Sequence, residues 1–122
     1  MHEMGIIAGV LDVVNASAAD AGANRVLCVN LRVGDMTEAI EDALQFAFEA
    51  LSEGTPCEGA RLAVEWVAPT SMCFECATEF EHDRFHRTCP ACGSYETVLL
   101  TGRELEIASI EVDLPDDGGT TG

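Results

Sequence analysis

Two cysteine pairs carry the clearest chemical signal in this chain. Cys73 and Cys76 form one CxxC motif, Cys89 and Cys92 form a second, and residues 77–88 separate them. Each motif turns tightly enough to direct two thiolates at one point, and the spacer is long enough to bring the two turns together. The spacing therefore predicts a closed tetrahedral site for a sulfur-favouring metal, with Zn²⁺ as the expected ion. Because four protein ligands leave no position for a substrate, we expect this zinc to be structural.

Disulfide bonds and a redox-active dithiol are the alternative chemistries for these cysteines. Disulfide bonds require an oxidising compartment, and a redox dithiol needs only one CxxC motif. The paired spacing favours zinc over both. The two remaining cysteines, Cys28 and Cys57, are isolated in the sequence and fit a reducing compartment.

A second group of potential metal ligands lies at the start of the chain, Met1-His2-Glu3. The α-amine, the first backbone amides and the His2 imidazole lie within reach of one metal ion, and this nitrogen set suits Ni(II) or Cu(II) in square-planar geometry. Enzymes that remove an initial methionine generally need a small second residue, so we expect His2 to keep its position. Taken alone, an early histidine also fits an ordinary frayed terminus.

The other two histidines, His82 and His86, lie four residues apart between the CxxC motifs. They would form a metal-binding pair only if this segment were helical. We interpret them instead as ordinary exposed loop residues. No Ser/His/Asp or Cys/His constellation is visible in the sequence, so we do not expect an enzyme.

Composition and charge restrict the class of protein further. The 122 residues carry 22 acidic and 6 basic side chains, a formal net charge of −16. Such a surface repels phosphate backbones, although zinc ribbons often bind nucleic acids. The sequence shows no apolar run long enough to span a bilayer, and its start lacks the basic flank of a signal peptide. We expect a cytoplasmic protein with neither a nucleic-acid nor a membrane partner.

Hydrophobic periodicity predicts two helices. The first covers residues 3–21, with a buried stripe at Met4, Ile7, Leu11, Val14 and Ala18 that Ile6, Val10 and Val13 widen. The second follows Asp35, a plausible N-cap, and ends at Gly54. Its predicted inner face consists of Met36, Ile40, Leu44, Ala47 and Leu51.

Three strands complete the main domain in the prediction. Alternating apolar residues predict strands over 24–33 and about 60–67. Residues 95–100 should pair back within the metal-binding lobe. The last strand, about 104–114, changes phase between Ile107 and Ile110, which predicts a bulge near Ala108-Ser109.

The elements together predict an α/β fold: two helices on one face of a three-stranded mixed sheet, with an inserted four-cysteine zinc-ribbon domain. The α/β domain comprises residues 1–68 and is completed by a returning strand at 103–114. The zinc ribbon comprises residues 69–102. Residues 115–122 are predicted to be a disordered tail.

The order and spacing of these features resemble the HypA/HybF family of nickel metallochaperones for hydrogenase maturation. The resemblance covers residues 1–114 and includes the initial Met-His-Glu, the ribbon ending Cys89-Pro-Ala-Cys92-Gly93 and the return segment 102–107. It also includes Phe-Ala-Phe-Glu at 46–49, followed by Gly-Thr at 54–55 and Glu-Gly-Ala at 58–60.

The resemblance implies a nickel carrier whose site lies at the amino terminus. It implies Ni(II) held by the Met1 amine, the backbone amides of His2 and Glu3, and the His2 imidazole. The Glu3 carboxylate would reach the ion or orient His2, and it also suits the first turn of a helix. The implied partners are a HypB-type GTPase and the large subunit of a nickel-iron hydrogenase, with the carrier a monomer or weak homodimer.

Two other functions remain compatible with the residues. One is a zinc-ribbon adaptor that binds proteins without nickel, and the other is a zinc-ribbon module that binds nucleic acid. Some members of the resembled family pass nickel toward urease, and the sequence gives no basis for choosing between the two nickel enzymes.

Overall fold

The computed structural model describes residues 3–83 and 85–114. In chain order the elements are α1 (Glu3–Asp20), β1 (Arg25–Gly34), a 3₁₀ turn (Asp35–Thr37), α2 (Glu41–Ser52), β2 (Arg61–Val67), β3 (Thr70–Cys73), β4 (Glu79–Glu81), β5 (Thr97–Thr101) and β6 (Leu105–Asp113). Two three-stranded sheets have the strand orders β2-β1-β6 and β4-β3-β5. The two helices, the mixed first sheet and the four-cysteine cluster confirm the predicted fold class. The predicted disordered tail, 115–122, lies outside the described residues.

Contacts along the backbone divide the chain into two compact units. Of the described residues, one unit contains 3–31, Ile40–Val64 and 107–114, and the other contains Arg32–Ala39 and Glu65–Glu106. The domain boundaries predicted at 68/69 and 102/103 remain predictions. Among the described residues, no helix has both the length and the apolar character needed to cross a membrane.

The core of the first unit forms where α1 packs against α2. Helix α1 buries a stripe formed by Ile6, Ile7, Val10, Leu11, Val14 and Ala18. Two residues predicted for this stripe are exposed, Met4 by 47% and Val13 by 55%. At roughly 100° per residue Val13 and Met4 fall just outside the two opposite edges of this stripe, and Met4 lines a surface cavity.

The predicted start of the second helix is wrong. The 3₁₀ turn takes the place of its first turn, and Glu38 has a left-handed backbone with φ of 64°. Since a helix cannot continue through that conformation, α2 begins at Glu41. Ile40 is 62% exposed and does not join the inner face, which consists of Leu44, Ala47, Phe48 and Ser52.

Backbone hydrogen bonds fix the direction of the strand that returns. The amide of Asn24 donates to Asp113 O at 3.0 Å, and the amide of Gly34 donates to Glu104 O at 2.7 Å. Strands β1 and β6 are therefore antiparallel. Along β6, Ile107, Ile110 and Val112 are half-buried, so the burial changes phase where the sequence predicts a bend.

Glycines allow a very close backbone approach in the second unit. A Cβ on Gly34 would lie 2.1 Å from both the carbonyl carbon and the oxygen of Gly102. Gly102 itself has φ of +119°, a conformation that L side chains rarely adopt. Its carbonyl accepts a 2.7 Å hydrogen bond from the Met36 amide. The 3₁₀ turn is thereby fixed to the segment between β5 and β6.

The small sheet of the second unit carries the ribbon. Strand β3 pairs antiparallel with β4, and Ser71 lies opposite Phe80. It also pairs antiparallel with β5, and Cys73 lies opposite Thr97. Strand β3 therefore ends at the first cysteine of the cluster, and β5 begins shortly after the last one.

Candidate metal centre and amino terminus

The two CxxC motifs fold into turns with the same hydrogen-bond pattern. The amide of Ala77 donates to Cys73 O at 2.8 Å, and the amide of Gly93 donates to Cys89 O at 2.8 Å. In each turn the residue after the second cysteine has a left-handed backbone, with φ of 61° at Ala77 and 77° at Gly93. A hydrogen bond from each leading cysteine amide closes the turn, Cys73 to Thr78 O and Cys89 to Ser94 O.

The two turns bring four sulfur atoms together. The Sγ atoms of Cys73, Cys76, Cys89 and Cys92 all lie within 4.8 Å of one another. Two close contacts cross between the turns, 3.6 Å for Cys73–Cys92 and 3.5 Å for Cys76–Cys89. All six cysteines are free thiols. This geometry is consistent with the prediction from the sequence that the four cysteines converge. It suits a metal ion that prefers sulfur ligands.

Neighbouring groups make the four thiols unequal. The Thr78 hydroxyl lies 3.1 Å from Cys76 Sγ, and its hydrogen bond to the thiolate is the main cause that lowers the pKa of Cys76 to about 6. At Cys92 a hydrogen bond with the Ser94 backbone favours the thiolate, but the contact with Cys73 and partial desolvation by the neighbouring atoms raise the pKa to about 12. One sulfur thus loses its proton easily, and another resists a further negative charge. A bound cation would offset that repulsion.

The cluster has one buried side and one exposed side. Cys73 and Cys89, the first cysteine of each turn, are buried. Cys76 and Cys92, the second cysteine of each turn, are exposed. Each CxxC motif therefore contributes one sulfur to the buried side of the cluster and one sulfur to the exposed side.

The histidines between the motifs do not meet the condition for a second metal pair, because the described part of their segment is not helical. Among the described residues, the four cysteines are the one group of three or more side chains placed to hold a metal ion. The His82 ring contacts Ser71 Oγ at 2.7 Å and Asp83 O at 2.6 Å. His86 Nδ1 lies 2.9 Å from the Asp83 carboxylate. Both rings are thus engaged in local contacts that hold the loop.

At the amino terminus, the described chain begins with Glu3. Its Oε2 accepts a 3.0 Å hydrogen bond from the backbone amide of Ile40, the residue that precedes α2. Sequence reasoning missed this contact because it joins residues 37 positions apart. Met1 and His2, the other two residues of the predicted nickel site, lie outside the described residues.

Solved structures establish the class of fold. The solution structure of the Ni metallochaperone HypA from Helicobacter pylori matches with a TM-score of 0.69 and 20% identity, covering 94% of this chain and 100% of that one. A solution structure of HypA protein matches with a TM-score of 0.70 and 21% identity, covering 92% and 96%. At these identities the likeness shows a shared α/β fold with its ribbon.

Sequence comparisons establish the family. The family model described as hydrogenase/urease nickel incorporation, metallochaperone, hypA matches residues 1–112. Hydrogenase maturation factor HypA of Geobacter metallireducens is 40% identical over 113 residues, which span 93% of this chain and 100% of that protein. The factor of the same name from Desulfitobacterium hafniense is 38% identical, over 93% and 99%. The chain belongs to the HypA family, as the resemblance in its sequence indicates.

Proposed function

We propose that this protein is a nickel metallochaperone that binds Ni(II) at its amino terminus and delivers it for the maturation of a nickel-iron hydrogenase. The observation that carries the proposal is the family match, which begins at residue 1 and therefore includes Met-His-Glu. In the proposal the ligands are the Met1 amine, the amides of His2 and Glu3, and the His2 imidazole.

Nickel chemistry gives this ligand set a physical reason. Amine, amide and imidazole nitrogens suit the planar geometry that Ni(II) favours, and a planar site can be approached by a recipient's ligands. The amine, the amides and the imidazole must lose protons to bind, so acid should release the ion.

Glu3 has a supporting role in this proposal. Its carboxylate binds the Ile40 amide, so the third residue of the chain is anchored against the segment that precedes α2. This hydrogen bond would fix the position of Glu3, the residue that follows the proposed ligands Met1 and His2. We therefore assign the Glu3 backbone amide to the nickel ion and the Glu3 carboxylate to positioning.

We further propose that the four-cysteine cluster holds structural Zn²⁺. Four sulfurs about 2.3 Å from one zinc ion lie about 3.8 Å apart in a regular tetrahedron. The sulfur contacts of 3.5 and 3.6 Å, with all four atoms inside 4.8 Å, are close to that requirement. Bound zinc would neutralise thiolate repulsion and hold the two turns together.

The partners follow from the function. We propose a HypB-type GTPase and the hydrogenase large subunit as the proteins that receive or help to insert the nickel, in the cytoplasm, with this chain a monomer or weak homodimer. The family description also names urease, so the recipient is a separate question from nickel binding.

Titration of zinc-loaded protein with Ni(II), followed by visible absorption and calorimetry, tests the nickel site. We expect one tight planar nickel, lost in His2→Ala and in a protein with one residue added before Met1. His86→Ala is the matched control, because it removes an exposed imidazole from the ribbon loop. Equal nickel affinity in the parent and His2→Ala proteins would refute the site, and zinc without nickel would favour a protein-binding adaptor.

Metal analysis tests the ribbon. We expect one zinc per chain, lost in Cys89→Ser together with the ribbon's ordered NMR signals, while α1 and α2 keep their helical circular dichroism. Cys28→Ser is the matched control, since Cys28 is buried outside the cluster. Zinc retained in Cys89→Ser would contradict the proposal.

A further inference from the structure

An exposed aromatic ring stands at the wall of a surface groove in the first unit. Phe46 lies in α2 and is 68% exposed, although its neighbours Ala47 and Phe48 are buried. Beside it is a cavity of about 540 Å³ between α2 and the loop that follows. We call this cavity the α2 groove; its lining includes Phe46, Phe48, Glu49, Glu53 and Glu58.

Phe46 also lines a second, smaller cavity. This cavity has a volume of about 290 Å³, and its other lining residues are Glu3, Met4 and Ala43. Met4 is 47% exposed. Phe46 is therefore flanked by two recesses, and its ring offers apolar surface to both. Exposed aromatic surface beside a recess is typical of the centre of a protein interface.

The charged side chains that line the α2 groove are all acidic. Glu49, Glu53 and Glu58 are exposed, and the described residues that line the groove include no arginine, lysine or histidine. Glu58 is held in place, because its Oε1 accepts a hydrogen bond from the Gly54 amide at 3.2 Å. The groove thus combines an apolar wall with a row of carboxylates.

The net charge of the whole chain indicates which kind of molecule can bind in the groove. A second copy of this protein would bring a formal charge of −16 toward the same acidic groove, so like-charge repulsion opposes self-association there. A nucleic acid would be repelled for the same reason. A polypeptide that carries arginine or lysine would be attracted, and complementary charge would steer its approach.

We propose that the α2 groove binds a segment of a partner protein in which one apolar side chain packs against Phe46 and neighbouring arginine or lysine residues pair with Glu49, Glu53 and Glu58. The apolar side chain would supply most of the affinity, and the charges would supply specificity and rate of association. That this partner takes part in nickel delivery rests on the proposed function, but binding to the groove is tested without nickel.

Selection from a displayed library of random twelve-residue peptides tests the inference. Full-length, zinc-loaded protein is the bait, and the Phe46→Ser protein removes peptides that bind elsewhere. We expect enrichment of sequences that combine one large apolar residue with two or more arginines or lysines. No enrichment, or enrichment of acidic sequences, would overturn the proposal.

An enriched peptide is then synthesised with a fluorescent label and titrated by anisotropy. Phe46→Ser and the double variant Glu49→Gln/Glu53→Gln should each weaken binding by at least about tenfold. Phe85→Ser and Glu79→Gln/Glu81→Gln are the matched controls, since they remove an exposed ring and two acids from the ribbon unit. Equal loss of affinity in the control proteins would show nonspecific attraction and refute the site.

Two measurements separate this inference from the nickel proposal. Circular dichroism of Phe46→Ser should match that of the parent protein, and the Ni(II) titration should be unchanged in that variant. If nickel binding is absent while the peptide still requires Phe46, only the proposed function fails. If nickel binds normally and no peptide depends on Phe46, only the groove proposal fails.

Discussion

Glu3 and Ile40 are joined by a hydrogen bond from the Ile40 amide to the Glu3 carboxylate, 3.0 Å long. Glu3 is the first residue of α1, and Ile40 is the N-cap of α2, where no side chain of its own segment caps the helix. In a capping box a glutamate three residues into the helix binds the N-cap amide. Here a glutamate from another helix fills that position, so one carboxylate lies near the positive ends of two helices.

We predict that Glu3→Ala destabilises the first unit by about 1–2 kcal/mol, since it removes a charged acceptor near two helix N-termini. Glu3→Gln, which keeps an acceptor oxygen, should lose less. Urea unfolding followed at 222 nm measures both. Glu38→Ala, which alters an exposed acid just before α2, is the control, and equal losses in Glu3→Ala and Glu38→Ala would contradict the assignment.

Glycine at position 34 should be irreplaceable, whereas glycine at position 9 should not. A Cβ at Gly34 would overlap the backbone of Gly102, so Gly34→Ala should cost more than about 3 kcal/mol. Nothing lies within 4 Å of a Cβ at Gly9, in the middle of α1. Gly9→Ala should therefore stabilise the protein by about 0.5–1 kcal/mol. Thermal unfolding of both variants checks the opposite signs.

The two CxxC turns predict opposite effects for a second pair of substitutions. Ala77 adopts the left-handed backbone with a side chain present, so Ala77→Gly should relieve up to about 1 kcal/mol of strain. Gly93→Ala should cost a similar amount, because it introduces that strain without a steric clash. Competition with a zinc chelator measures the change in the ribbon. Weaker zinc binding in Ala77→Gly would contradict the strain argument.

Cys57 should make the stability depend on pH in alkaline solution. Burial raises the pKa of this thiol above its ordinary value of 9.0. The folded state therefore keeps a proton that the unfolded state loses, and the free energy of unfolding should fall as the pH rises above 9 toward the folded pKa. Below that range the thiol makes no pH-dependent contribution. The difference in unfolding free energy between the parent and Cys57→Ser, measured from pH 7 to 10.5, should decline, and a flat difference would disprove the argument.

The convergence of the four cysteines could be predicted from sequence because the information that specifies it is local. Each CxxC motif specifies its own turn, and only the meeting of the two turns had to be inferred. Helix α1 and strands β1, β2 and β6 were similarly visible, since their apolar periods match helix and strand geometry. These are features that residue spacing alone controls.

The start of α2 could not be read in the same way. Asp35 and Glu38 have the spacing of a capping box, but the Met36 amide binds the carbonyl of Gly102, far away in the chain. The left-handed backbone of Glu38 then ends the 3₁₀ turn before α2 begins, and the Glu3 contact supplies the cap that the local sequence lacks. The exposure of Phe46 could not be predicted for a related reason. The period of apolar residues along a helix does not show which of them remain in contact with solvent.

The arrangement of the four sulfurs has a consequence for how quickly the ribbon's metal would exchange. Cys76 and Cys92 are exposed, whereas Cys73 and Cys89 face the interior. An incoming chelator would therefore meet two adjacent sulfurs on one open side and would displace them in turn while the other two still hold the ion. The rate of metal exchange should then increase with the concentration of the competing ligand. Exchange would not require the ribbon to unfold first.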